Sequence, residues 1–137
     1  MKTLLLTLIL YAPASAAHAQ TAADSIRAAH KKRGADKIET GIASYYHSKF
    51  QGRPTASGEK YDAEKFTAAH NRLPFGTRIK VTNLRNKRSV IVTVNDRLHH
   101  RNTRLVDLSR AAAAKLGFIG RGLAKVKVEV LNDRNKP

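Results

Sequence analysis

Cysteine is absent from the 137 residues, so no disulfide can hold this fold and its stability must come from a packed core. Acids are scarce. Ten Asp and Glu stand against 26 Lys and Arg, a formal charge of +16, and a carboxylate set in a turn beside a strand is then a candidate for chemistry rather than solubility. No apolar run reaches the roughly 20 residues needed to cross the hydrocarbon core of a bilayer. Also missing are a nucleotide-cradling glycine loop, a metal-ligand motif, a Ser-His-Asp order and the aromatic signature of a nucleic-acid binder. The length allows one domain of ordinary size.

What is present starts with Lys2, the apolar run Leu4–Tyr11 and small residues ending in Ala17-His18-Ala19. A basic start, a short hydrophobic stretch and an A-x-A exit predict a secretory signal peptide over residues 1–19, and hence a periplasmic or secreted protein. Its removal takes one lysine and no acid, so the positive balance persists. That balance suits an anionic partner, and after export the envelope polymers are the accessible ones; a solvated basic surface without a partner explains it equally well. Residues 20–39, with Lys31-Lys32-Arg33, read as a flexible basic leader. Residues 132–137 read as a tail, leaving 40–131 as the folded domain.

Within that domain the periodicity is that of strands. Gly41–Tyr46 reads as a first strand, followed by a loop punctuated by Gly52, Pro54 and Gly58. Arg78–Leu84 alternates, Arg85-Asn86-Lys87 turns, and Ser89–Asn95 returns as a β-branched strand, which predicts a hairpin. Leu105–Leu108 leads into a helix over Ser109–Leu116, with Ser109 as N-cap and Gly117 at the exit. Ala124, Val126, Val128 and Val130 then alternate with Lys125, Lys127 and Glu129 as a last half-buried strand. The pattern gives a small barrel with many short strands and does not fix how they cross.

Three carboxylate or imidazole groups fall in loops between these strands. Asp96 follows a strand in VNDR, where a rigid wall can hold it as a general acid; pairing with Arg97 would instead make it structural. Glu59 follows Ser57-Gly58, a turn able to present it to a groove, or simply to solvent. His70, after Ala68-Ala69, fits either an ordering role or a satisfied core position. Tyr46 and Tyr61 have faces for sugar rings, unless packed. Arg53, Arg97 and Arg104 carry forks suited to carboxylates, or form a solvated basic rim. Asp107, just before Ser109, is placed to stabilise the helix start.

The motifs TASGEKYD, TAAHNRLPFGT and VNDR with RLVDLS, in that order, resemble the rare lipoprotein A (RlpA) family. The resemblance covers about two-thirds of the chain. It implies a mainly β fold, a six-stranded double-psi β-barrel with one or two short helices. It also implies endolytic lytic transglycosylase activity on peptide-poor peptidoglycan glycan strands. The bond cut would be MurNAc-GlcNAc, leaving 1,6-anhydroMurNAc ends. By the same resemblance Asp96 is the catalytic acid/base, with Glu59 supporting and His70 ordering the network. Tyr46, Arg53, Tyr61, Arg97 and Arg104 would bind the glycan. No cofactor or metal is implied; the partners are glycan strands and other anionic envelope polymers, not nucleic acid, and the protein is expected to be a monomer.

Three departures from the family pattern stand out. Gln20 occupies the position of the lipidated cysteine of many relatives, which predicts no stable membrane anchor. The C-terminal peptidoglycan-binding repeat of many relatives is not expected after the last strand. Leu98-His99-His100 replaces the usual Gly-Pro after NDR, altering the loop beside Asp96; two adjacent histidines without a third ligand do not make a metal site. The competing expectation is a non-catalytic, expansin-like glycan-binding barrel.

Overall fold

Alternation in the sequence becomes alternation of faces. The computed structural model describes residues 38–131; the readings of residues 1–19, of the leader up to residue 37 and of 132–137 lie outside them. Strand β3 (Arg78–Asn83) buries Ile79, Val81 and Asn83 and exposes Arg78 and Lys80. Strand β4 (Ser89–Asp96) buries Val90, Val92 and Val94. The two pair antiparallel from Arg78↔Thr93 to Thr82↔Ser89, the expected hairpin. The last strand, β6 (Ala124–Val130), buries Val126 and Val128 as its pattern predicts.

Strand β1 runs over Ile38–Tyr45, starting three residues before the stretch that its sequence marked. Those extra residues pair with β6 at Ile38↔Glu129 and Glu39↔Val128, and such partner-imposed extension is invisible to local pattern. Strand β2 (Thr67–Ala69) is a three-residue strand with no periodicity to announce it. Strand β5 (Val106–Leu108) buries Val106 and Leu108. Pairings β1–β5 and β2–β4 are parallel, whereas β2–β5, β3–β4, β3–β6 and β1–β6 are antiparallel. The six strands close in the order β1-β5-β2-β4-β3-β6. Closure leaves no free edge and makes a rigid frame for loops.

The helix α1 (Arg110–Leu116) starts and stops as its residues dictate. Ser109 Oγ accepts from Ala112 N at 3.3 Å. Gly117 exits in the left-handed region at φ 74°, a conformation that costs glycine nothing. Ala112, Ala113 and Leu116 are fully buried with Phe118 and the inward residues of the strands in one core. A three-residue 3₁₀ turn, Ser48–Phe50, follows β1.

One glycine shows how closely the barrel wall is packed. A Cβ on Gly41 would lie 2.7 Å from Leu105 Cβ, an atom that no rotamer change can move away. Gly41→Ala is therefore expected to destabilise the domain by about 1–3 kcal/mol through overpacking. At roughly 4–8 °C per kcal/mol for a domain of this size, a thermal melt reads the loss directly. An unchanged melting temperature would refute the packing argument.

Candidate active site

Pairing register brings four residues into one row across adjacent strands: Ser44 on β1, Asp107 on β5, Ala69 on β2 and Asp96 on β4. Two carboxylates thus sit two strands apart, roughly 10 Å between backbones at the ordinary strand spacing, with only a methyl side chain between them. A groove of about 600 Å³ opens over this row. A register shift between Ala68 and Ala69 leaves Asn95 without a counterpart on β2. It breaks the alternation of β4, so that Val94 and Asn95 are both buried and Asp96 is half-buried at the strand end. Bulges of this kind re-aim side chains beside functional sites.

Asp96 is held by neutral donors. Its Oδ1 accepts from Ala56 N at 2.9 Å and from Arg97 N at 2.8 Å. Its Oδ2 accepts from the Tyr46 hydroxyl at 2.6 Å. The Arg97 side chain turns away, donating from Nη1 to His70 O at 2.7 Å and Asp96 O at 3.3 Å while stacking 4.0 Å over the Phe75 ring. The ion pair left open by the sequence is absent. Asp107 differs: Arg104 grips both its oxygens at 2.8 and 3.0 Å, and Ser44 Oγ donates at 2.7 Å. Of the two groove carboxylates, Asp96 alone has no cation within ion-pair distance among the described residues.

Tyr46 is kept neutral. Burial pushes its hydroxyl far above the usual tyrosine range, and the hydrogen bond and charge of Asp96 push it further. It therefore remains a donor to Oδ2 at any working pH. Tyr46 also packs edge-on to Tyr61, with ring centroids 4.4 Å apart, and against Phe50 at 5.9 Å.

The other residues named from sequence divide by geometry. Tyr46, Arg53, Tyr61, Arg97 and Arg104 line the groove with Asp96. Tyr61 is only 3% exposed and its hydroxyl accepts from Arg110 N at 3.2 Å, so it supports Tyr46 and has no free face for a sugar. Among the aromatic residues lining the groove, the exposed ring is Phe50, flanked by Lys49 and Arg53 at 5.3 and 5.7 Å. The Arg104 fork is occupied by Asp107, and Asp107 in turn serves that pair rather than the helix start. Glu59 and His70 do not line the groove. Glu59 is exposed in a turn made by Gly58 at φ 91°, and its carbonyl takes both the N–H and the hydroxyl of the groove residue Thr55 at 2.7 Å. His70 is buried, its Nδ1 accepting from Arg72 N and Leu73 N at 3.1 and 3.2 Å.

The altered loop is anchored without the glycine and proline. Leu98 is buried, and Asn71 Oδ1 accepts from its N–H at 2.8 Å. His99, on the groove wall, stacks on His100. The roles of Ala56 and Asn71 carried no advance signal, since one acts through its main chain and the other reaches across 27 residues.

A family model described as "Lytic transglycolase" matches residues 38–128. The chain belongs to that family. A lytic transglycolase relative in Haemophilus influenzae, endolytic peptidoglycan transglycosylase RlpA, is 53% identical over 95 residues, covering 69% of this chain and 33% of the relative. The Pasteurella multocida protein of the same name is 46% identical over 125 residues, 90% of this chain and 42% of the relative. The chain thus spans less than half the length of these curated relatives. Apo expansin from Clavibacter michiganensis superposes with a TM-score of 0.57 at 24% identity, over 73% of this chain and 53% of that one, a likeness of fold. The observed barrel is the double-psi barrel that the motifs imply.

In this lytic transglycolase barrel, His70 makes stability depend on pH. Burial lowers the affinity of its imidazole for a proton; Glu39 partly offsets this, while Arg72 and Arg97 add to it. Protonation would also require Nδ1 to give up its two N–H donors. The unfolded imidazole takes its proton near 6.5, the folded one only at lower pH. The His70 contribution is therefore complete above about pH 6.5 and is lost as pH falls through the folded value. Denaturant midpoints should drop between pH 7.5 and 5.5, and His70→Asn, which keeps an acceptor for both N–H groups, should flatten that drop. An equal drop in both proteins would refute the assignment.

Proposed function

We propose that this barrel is an endolytic lytic transglycosylase. It cleaves the MurNAc-GlcNAc bond of peptide-poor peptidoglycan strands outside the cytoplasm and leaves 1,6-anhydroMurNAc ends. The observation carrying this reading is a groove carboxylate, Asp96, free of cations and fixed by three neutral donors, in a chain of the lytic transglycolase family. The names of the RlpA relatives supply the polymer.

The chemistry asks one group to act twice. Asp96 first donates a proton to the bridging oxygen as the bond to the sugar's C1 breaks and positive charge spreads over the ring. The resulting carboxylate then takes the proton of the same sugar's 6-hydroxyl, whose oxygen closes on C1. The proton is returned and no water is consumed. Because two N–H groups already occupy Oδ1, the proton moves at Oδ2, whose spare lone pair faces away from the Tyr46 bond. Tyr46 holds Oδ2 in place through both half-reactions as a positioning residue. Glu59, exposed in the turn whose carbonyl holds the groove residue Thr55, enters as a supporting carboxylate for a strand lying across the mouth. His70 orders the network from behind: its main-chain N–H holds the Asp96 carbonyl at 3.1 Å, and its imidazole fixes the turn that follows through Arg72 N and Leu73 N. Phe50, Arg53 and Arg97 offer a stacking face and cations for the lactyl groups.

Isolated glycan strands incubated with the protein should yield anhydro ends by mass spectrometry. Asp96→Asn should lower the rate by about 10²–10⁴-fold, the usual contribution of a general acid, with Glu59→Gln costing less. Reducing ends that carry added water would make the protein a hydrolase, and tight binding without product would favour an expansin-like module. Tyr46→Phe removes one hydrogen bond to an ionisable partner, so kcat should fall by roughly 10–100-fold with KM nearly unchanged. A change confined to KM would make Tyr46 a substrate contact instead.

A further inference from the structure

A second concavity, of about 370 Å³, opens between the β3–β4 turn, the exit of α1 and the start of β6. It lies at the other end of β4 from Asp96, about 23 Å along the strand at 3.3 Å per residue. Arg85, Arg121 and Lys125 are on its wall, with no acid among the lining residues. Arg88 adds a fourth cation. Bare Gly117 lets its guanidinium lie so close that a Cβ there would come within 2.9 Å.

These cations have no structural employment among the described residues. None of the four forms an ion pair there. Cations beside a helix exit commonly answer its carbonyls, but here other donors do so. Leu116 O accepts from the side-chain amides of Asn83 and Asn86, each at 2.9 Å, and Ala113 O and Ala114 O accept from Phe118 N and Gly117 N. In the turn, Lys87 holds φ 64°, so a further cation occupies a conformation that glycine or asparagine adopts more easily. Clustered like charges repel unless an anion joins them. Leu123, 54% exposed on the same wall, adds an apolar contact.

We infer that this end of the barrel is a second binding site, for carboxylate-bearing stretches of glycan, separate from the groove. The inference rests on the proposed substrate. Guanidinium forks match carboxylates, Leu123 meets the CH face of a sugar, and a polymer held at one site presents its other segments at high local concentration to the second.

The test uses the full chain as Asp96→Asn, so that strands stay whole, and follows backbone amide shifts on adding peptide-free glycan strands. Two separate sets are expected to move: Ala56 and Arg97 at the groove, Asn86, Gly117 and Phe118 at the far end. Adding R85A, R121A and K125A, all at exposed positions, should abolish the second set, leave the first as a control for folding, and weaken apparent affinity by about 100-fold, the lower range for a linked second contact. Far-end shifts without groove shifts would uphold this site and remove the groove reading. Groove shifts alone would overturn it, as would far-end shifts produced by polyphosphate but not by the glycan.

Discussion

Four main-chain groups fix the end of β4, and the chemistry of the groove depends on them. The Asp96 carbonyl accepts from His70 N and the Asn95 carbonyl from Ser57 N, while Ala56 N and Arg97 N reach the Asp96 side chain itself. These contacts come from segments on both sides of the strand, so the carboxylate has lost its freedom before any ligand arrives. Preorganisation of that kind is where an enzyme gains most from a rigid scaffold. The barrel supplies it because β2 and the TASGEKYD loop both close on β4.

Charge is arranged around that carboxylate with a division of labour. Arg104 neutralises Asp107, and Arg72 takes Glu39 at 2.6 Å. Arg97, adjacent to Asp96 in sequence, is drawn off by the Phe75 face and two carbonyls. In a chain with so many cations, leaving one acid unpaired at a groove requires each neighbouring arginine to have somewhere else to go. The cost of placing Asp96 is thus distributed over side chains that never touch its carboxylate.

Regular alternation made β3, β4 and β6 legible from sequence, as capping chemistry did α1. Strand β2 was not, because three residues carry no period and two are alanines whose burial reflects neighbours rather than hydrophobic pattern. Asp96 was legible as a strand-end acid, but its contest with Arg97 could only be decided by the Phe75 ring that removes the arginine. Tyr61 looked like a sugar platform and proved to be a packed support, since nothing local distinguishes a tyrosine facing a groove from one beneath it. Phe50 escaped notice for the converse reason. Asp107 was read through the helix that it precedes, yet its partners lie on β1 and in the preceding loop, contacts set by register.

Tyr45 and Tyr46 occupy consecutive positions on a wall whose residues point alternately in and out. Tyr45 donates its hydroxyl to Ile119 O at 2.8 Å and leans on Phe118, whereas Tyr46 reaches Asp96. Sliding β1 by a single residue would bring Tyr45 to the place of Tyr46 and leave Ser44 where Tyr45 stood. The place beside the acid would keep a phenol, arriving from the wrong backbone position, while the contacts with Ile119 and Phe118 would be lost. Strand alignment, rather than residue identity, is what keeps this pair of twins in their separate occupations.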